Sequence, residues 1–127
     1  MNKNQRIRVA LWTIIFGSAG IMHFTAREGF DSIVPPALPG AAKYWTWGSG
    51  ILELALAAAI ANPKTRAKAA TQAALFLLGV WPGNIQMALD WQRAEDKSVP
   101  MKIGAWARVI GQIPMMRSVK KLKHAAG

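Results

Sequence analysis

The chain has no cysteine among its 127 residues. That absence excludes a disulfide framework, a thiolate metal site, a cysteine nucleophile and a dithiol redox motif of the chain's own. Histidine is scarce as well: His23 and His124 are the only two, poor material for a haem or a metal centre. There is no Gly-rich phosphate loop, no nucleophile elbow and no H-E-x-x-H, so neither a metal nor a haem is expected and no reaction is named by a motif. Acidic residues number 6 against 16 Lys+Arg, leaving a formal net charge of +10. The length allows a single domain over residues 1–127 and excludes a multidomain enzyme.

What is abundant is apolar sequence, 52% of the chain. It is concentrated in four segments, about 8–25, 44–61, 68–90 and 102–118. Residues 9–26 and 69–89 carry no formal charge with His23 neutral, the second segment is interrupted by Glu53, and the fourth holds Arg108, Gln112, Pro114 and Arg117. About 20 helical residues cross a hydrocarbon core, so runs of this length are candidate membrane spans. A water-soluble bundle would carry charge on every turn of an outer face. The expectation is an all-α, integral membrane four-helix bundle. The first segment follows a basic start, but no A-x-A cleavage motif ends it and three further apolar segments follow. It reads as a retained span rather than a signal peptide.

The excess charge is then a topology signal. Residues 1–8, the connection at 62–68 and the stretch 117–127 hold ten Lys or Arg and no acid, whereas the other two connections each balance to zero. The positive-inside rule places both termini in the cytoplasm. A basic cytoplasmic face meets anionic lipid headgroups at roughly 1 kcal/mol per Lys or Arg. The tail at 119–127 lacks interleaved aromatics for stacking on bases, so nucleic acid is not an expected partner. Tyr44, Trp45, Trp47, Trp91 and Trp12 fall near span ends, as interfacial aromatics do, and Trp81 and Trp106 lie deeper, between helices. The spacing of Gly79 and Gly83 is compatible with contact inside the bundle or with a homo-oligomer seam.

Polar groups inside the spans are the functional candidates, since each is costly in hydrocarbon. They are His23, Glu53, Asn84, Arg108 and Gln112. With a rise of ~1.5 Å per residue, Glu53 lies roughly 14 Å inward of Tyr44 and Asn84 and Arg108 each about 9 Å inward of their span ends, so all five fall in the outer half or near the midplane. Opposite sign and overlapping depth pair Glu53 with Arg108. That pair either pins the second and fourth helices or belongs to a pocket for a small polar headgroup or a quinone-like ring. A proton relay through Glu53 and His23 is a further option. Pro82 and Pro114 interrupt their helices and release the carbonyls of Leu78 and Ile110. The first connection carries Pro35, Pro36 and Pro39 among apolar Phe30, Ile33, Val34 and Leu38, and is expected to fold back as an interfacial segment or lid.

These residues also form an ordered pattern: Gly20-x-x-His23-Phe24, then Val34-Pro35-Pro36-x-Leu38-Pro39, Gly50-x-x-Glu53, Trp81-Pro82-x-Asn84-x-x-Met87-Ala88 and Arg108-x-x-x-Gln112. Over roughly residues 9–115 the chain resembles the DoxX-like family of small bacterial four-helix membrane proteins. The resemblance implies a multi-pass protein of the bacterial inner membrane, an accessory component of a redox or respiratory system with protein partners there, and His23, Glu53, Asn84, Arg108 and Gln112 as the polar set. Without cysteine, any thiol exchange would use a partner's thiols. The basic tail lies outside the family pattern. Two other functions remain open from the residues: a small-solute transporter or channel subunit, which four short helices can form only by oligomerising, and a membrane enzyme using Glu53 as acid/base.

Overall fold

The computed structural model describes residues 1–32 and 34–125. The loop position Ile33 and the last two residues of the predicted tail, 126–127, lie outside the described residues. The described chain is all-helical, with no strand. Four long helices, α1 (Lys3–Thr25), α3 (Ala42–Ala61), α4 (Arg66–Arg93) and α5 (Val99–Lys120), are joined by a one-turn α2 (Arg27–Asp31) and closed by a 3-10 helix (Lys121–Ala125). Each long helix contains a predicted segment and extends it by a few residues at one or both ends.

Caps explain the boundaries. Asn2 and Gln5 form a reciprocal capping box at the start of α1, at 2.9 and 3.0 Å. Ser98 caps α5 through the Met101 amide at 3.3 Å, and Pro100 occupies the first turn, where its missing N–H is no loss. The end of α3 is the most elaborate. Its last carbonyls have no helical donors, and the next turn supplies them: Thr65 Oγ1 donates to Ala59 O at 2.7 Å, Arg66 Nε to Ile60 O at 2.7 Å and Arg66 Nη2 to Ala61 O at 3.2 Å.

Arg66 is only 2% exposed, and among the described residues it has no carboxylate partner. Its charge is stabilised by the negative end of the α3 dipole and by backbone carbonyl oxygens. The remaining donor, Nη1, reaches Ala125 O at 2.7 Å and lies 3.4 Å from Met1 Sδ. Gln5 Nε2 adds a bond to His124 O at 3.1 Å. The chain's two ends and the α3–α4 turn therefore meet at one end of the bundle, which gathers the ten unpaired-sign cations of the sequence. The expectation of a basic tail beginning at residue 119 needs revision here: Val119, Leu122 and Ala125 are buried, and residues 121–125 form a docked 3-10 helix.

Above this basic end lies the main core, built from Trp12 and Phe16 of α1, Leu56, Ala57 and Ile60 of α3, and an alanine-rich face of α4 at Ala69, Ala70 and Ala73. Trp12 is fully buried, its Nε1 donating to Ser118 Oγ at 3.1 Å, so it is a core residue and not the interfacial one its position suggested. The helices associate as two pairs. α1 packs along α3, and α4 along α5, whereas α3 and α4 touch far less and mainly near the basic end. Gly20 and Gly50 make the first pairing close. A Cβ on Gly50 would sit 2.8 Å from His23 Cβ, and one on Gly20 would sit 3.0 Å from Gly50 O. Gly40, with φ of 83°, provides the left-handed turn leading into α3.

The second pairing is tied across its prolines. Gln112 Nε2 of α5 donates to Leu77 O of α4 at 2.6 Å, and Trp81 Nε1 of α4 donates to Val109 O of α5 at 2.9 Å. In each case the acceptor lies five residues before a helix-interrupting proline, Pro82 or Pro114. Sequence predicted release of the carbonyls one residue later, Leu78 and Ile110. A carbonyl has two lone pairs, so one at a bend can take a cross-helix donor without losing its place in the ladder.

The outward faces are apolar. Ile7, Leu11, Ile14 and Ile21 of α1, Ile51 of α3, Leu75 and Leu78 of α4, and Ile103 and Ile110 of α5 are all more than half exposed. Inside, by contrast, His23, Thr46, Glu53, Asn84 and Gln112 are buried. By length and composition, α1 is the one helix among the described residues that is apolar enough to cross a membrane.

Candidate functional site

At the end away from the basic cluster, the two helix pairs diverge around a cavity of about 510 Å³. α3 and α4 form its opposite walls, α2 and the proline-rich loop cover it, and α1 and α5 contribute one side chain each. Four of the five polar residues picked from the sequence line it: His23, Glu53, Asn84 and Arg108. Thr46 and Ser49 add hydroxyls, and the rest of the wall is mostly apolar, with Phe30, Leu38, Leu52, Phe76 and Val80 among its residues.

Glu53 lies on the buried stripe of α3, in register with Gly50, Ala57 and Ile60, spaced three or four residues apart as one helix face requires. It is 7% exposed, and its Oε2 has no hydrogen-bond partner. Its ionisable neighbour is His23, whose Nδ1 lies 3.4 Å from Oε2. The expected Glu53–Arg108 ion pair does not form: among the described residues no salt bridge joins them, and Arg108 is an exposed residue at the cavity's α5 side. The reason is the order of packing. α3 lies against α1, not α5, so the acid's nearest partner comes from α1.

The orientation of each polar group is set by a backbone carbonyl behind it. His23 Nδ1 bonds to Ala19 O at 2.7 Å, and since a carbonyl only accepts, Nδ1 is the protonated nitrogen. A neutral His23 thus presents Nε2 as an acceptor. The ring is held flat against Phe30, centroids 3.9 Å apart and 19° from parallel. On the opposite wall the Gln112–Leu77 bond orients the Gln112 amide, whose Oε1 accepts from Asn84 Nδ2. Asn84 is left with Oδ1 as its free acceptor. Gln112 does not line the cavity; it braces Asn84 from behind.

The covering segment is latched at both ends. Asp31 accepts from buried Thr46 Oγ1 at 2.5 Å and lies 3.7 Å from Arg27 Nε, and Trp45 Nε1 donates to Pro39 O at 2.8 Å. Of the three loop prolines, Pro35 lines the cavity and Pro36 and Pro39 do not. Around this end cations rest on aromatic rings: Arg27 and Lys43 lie 5.4 and 5.8 Å from the Trp47 ring, and Lys97 lies 4.9 Å from that of Trp91.

Residues 12–123 match a domain of unknown function, DUF8561. The chain belongs to the DUF8561 family. No curated protein and no solved structure matches it. The DUF8561 match covers α3, α4 and α5, α1 from Trp12 onward, and every cavity residue named above, so the site lies within the family domain.

Two functional side chains of this DUF8561 chain were not singled out from sequence. Thr46 stands seven residues before Glu53, two helical turns along the same face, and that spacing was the available signal. Arg66 was counted only as a topology charge. It is a cation in the first turn of a helix, where the dipole is unfavourable to it, and that misplacement was the sign of a nearby set of acceptors. The glycines of α4 and α5 also read differently in place. Cβ atoms on Gly79 and Gly104 would meet nothing within 4 Å, and Gly79 borders the cavity rather than a helix contact.

Proposed function

We propose that the chain is a four-span protein of the DoxX-like type in the bacterial inner membrane, with both termini cytoplasmic, and that its cavity binds a small amphiphile with a polar head, a quinone ring or a lipid headgroup, as an accessory of a membrane redox system. The observation that carries this reading is the inverted distribution of polarity around a built cavity: isoleucine and leucine point outward on all four long helices, and an unpartnered acid faces inward beside a histidine. An apolar exterior of this extent is unstable in water and matched to lipid. The single-signed basic end supports the orientation, and the cation-bearing tryptophans at the other end fit an outer interface. The basic end would also engage anionic headgroups.

A second reading rests on the His23–Glu53 juxtaposition. Two titratable groups 3.4 Å apart at the floor of a cavity can hold and pass one proton, the minimum equipment of an acid/base site. Both readings use the same cavity.

The lack of native cysteine makes the topology directly testable. Single cysteines replacing Lys121 or Lys64 should resist a membrane-impermeant maleimide in intact cells, and one replacing Ser98 should react. Equal labelling at all three positions in intact cells would sink the four-span arrangement. Purification in a mild detergent, followed by native mass spectrometry and lipid extraction, should then retain a quinone or a lipid, and a stoichiometric redox partner would support the accessory role. A bare chain that moves a solute in liposomes would replace that role with transport.

A further inference from the structure

The floor of the cavity has a polarity that narrows its ligand. Two of its groups are acceptors held in place from behind, and Glu53 stands beside them. His23 offers Nε2 because its Nδ1 proton is committed to Ala19 O. Asn84 offers Oδ1 because its amide donates to Gln112, itself oriented by Leu77 O. Glu53 offers Oε2, buried and without a donor. Neither backbone carbonyl can reverse its role, so the His23 and Asn84 acceptors cannot be turned into donors by flipping a side chain. A ligand that satisfies this floor must bring hydrogen-bond donors. Its charge is constrained too, since an ionised Glu53 disfavours an anion and Arg108, on the α5 side of the same cavity, disfavours a cation.

The rim constrains the route. Leu52 on α3 and Gly79 on α4 line the cavity and are exposed, and each lies at the middle of its helix. A Cβ on Gly79 would meet nothing, so that side of the opening is bare backbone. From the outer end the cavity is covered by α2 and its latched loop. Exposed lining residues at mid-helix on both walls leave a sideways path between α3 and α4.

We infer that the cavity takes a neutral amphiphile whose head carries hydroxyl groups, admitted sideways from the bilayer between α3 and α4. This rests on the bilayer-embedded cavity of the preceding section. The hydroxyls donate to Glu53 Oε2, Asn84 Oδ1 and His23 Nε2, their oxygens accept from Arg108, and the apolar tail leaves past Leu52 and Gly79.

The test uses the full chain in nanodiscs and three probes with the same dodecyl-length tail: monododecanoylglycerol, dodecanoate and dodecylammonium. Bound probe per chain is read by native mass spectrometry, with free glycerol as a competitor. The neutral probe should bind one per chain and roughly tenfold or more tightly than either charged one, as expected where a buried floor rejects an unmatched charge. Gly79→Leu fills the rim without touching the polar floor and should abolish retention while circular dichroism stays helical. Glu53→Gln keeps the shape, replaces one acceptor oxygen with a donor, and should weaken the neutral probe by roughly tenfold. Preference for dodecanoate or dodecylammonium that Gly79→Leu still abolishes would overturn the neutral hydroxyl head and leave the cavity reading standing. Displacement of the neutral probe by free glycerol would overturn the lateral route. Equal retention of all three probes, unchanged by Gly79→Leu, would overturn the binding cavity itself.

Discussion

The two ends of the bundle treat buried polarity in opposite ways. At the basic end Arg66 is almost fully enclosed, and its N–H groups reach three backbone carbonyls: the last two of α3 and one of the closing 3-10 helix. At the cavity end Glu53 is enclosed to a similar degree and one of its oxygens accepts no hydrogen bond. The first arrangement closes a structure, and the second leaves room for something else to close it. Burial alone would have ranked the two residues together. Completion of hydrogen bonds separates them.

The sharpest way to break this contrast is to remove the completed group. Arg66→Leu strands three carbonyls, at about 1–3 kcal/mol for each buried one, so a loss of about 3 kcal/mol or more is expected in reversible unfolding in detergent. Arg66→Lys should recover less than half of it, because a single ammonium cannot span acceptors on two helices. A loss under about 1 kcal/mol for Arg66→Leu would remove the clamp from the account. Next in size is Gly50→Ala, whose Cβ meets His23 Cβ at 2.8 Å. It should cost about 1–3 kcal/mol by overpacking and shift the His23 ring from Phe30, visible as a changed histidine NMR signal. The same change at Gly48 or Gly104, which face open space, should be neutral or stabilising by up to about 1 kcal/mol through helix propensity.

Smaller effects separate the two walls of the cavity. Gln112→Leu leaves Asn84 Nδ2 without its acceptor and should cost about 1–2 kcal/mol, with Asn84 free to rotate. Glu53→Gln removes an oxygen that has no partner, and stability should stay within about 1 kcal/mol of the parent, on the favourable side, since groups kept for function rather than structure are often stabilising to replace. If Glu53→Gln destabilised the bundle as much as Arg66→Leu, the distinction between a closed and an open end would fail.

The helices were legible because a run of apolar residues fixes a helical segment almost regardless of its neighbours. The predicted second segment ends at Ala61, as α3 does, and the predicted first ends at Thr25, as α1 does. The polar set was legible for the same reason: a charge or amide inside such a run must face inward, and four of the five line one cavity. Partner choice was not legible. Rise along a helix gives depth, and Glu53 and Arg108 agree in depth. Which side chains meet depends on which helices adjoin, and no periodicity in α3 records that α1 is its neighbour. The role of Gln112 was hidden for a related reason, because a brace and a lining residue one turn apart have the same sequence signature. The docked C-terminal turn was hidden by its charge: lysines in residues 117–123 mask the spacing of Val119, Leu122 and Ala125, which are three residues apart on one buried face.

The reciprocal bonds between Trp81 and Val109 and between Gln112 and Leu77 have a mechanical consequence. They bind α4 and α5 into one stiff arm, as the Gly20–Gly50 contact does for α1 and α3. Two stiff arms joined at a single clamped end behave as tweezers, with Arg66 at the pivot. The lever from Arg66 to Gly79 is about 20 Å at ~1.5 Å per residue, so a rotation of about 3° at the pivot moves the rim by about 1 Å. The tightness of the basic end therefore sets the width of the mouth that a guest would have to pass.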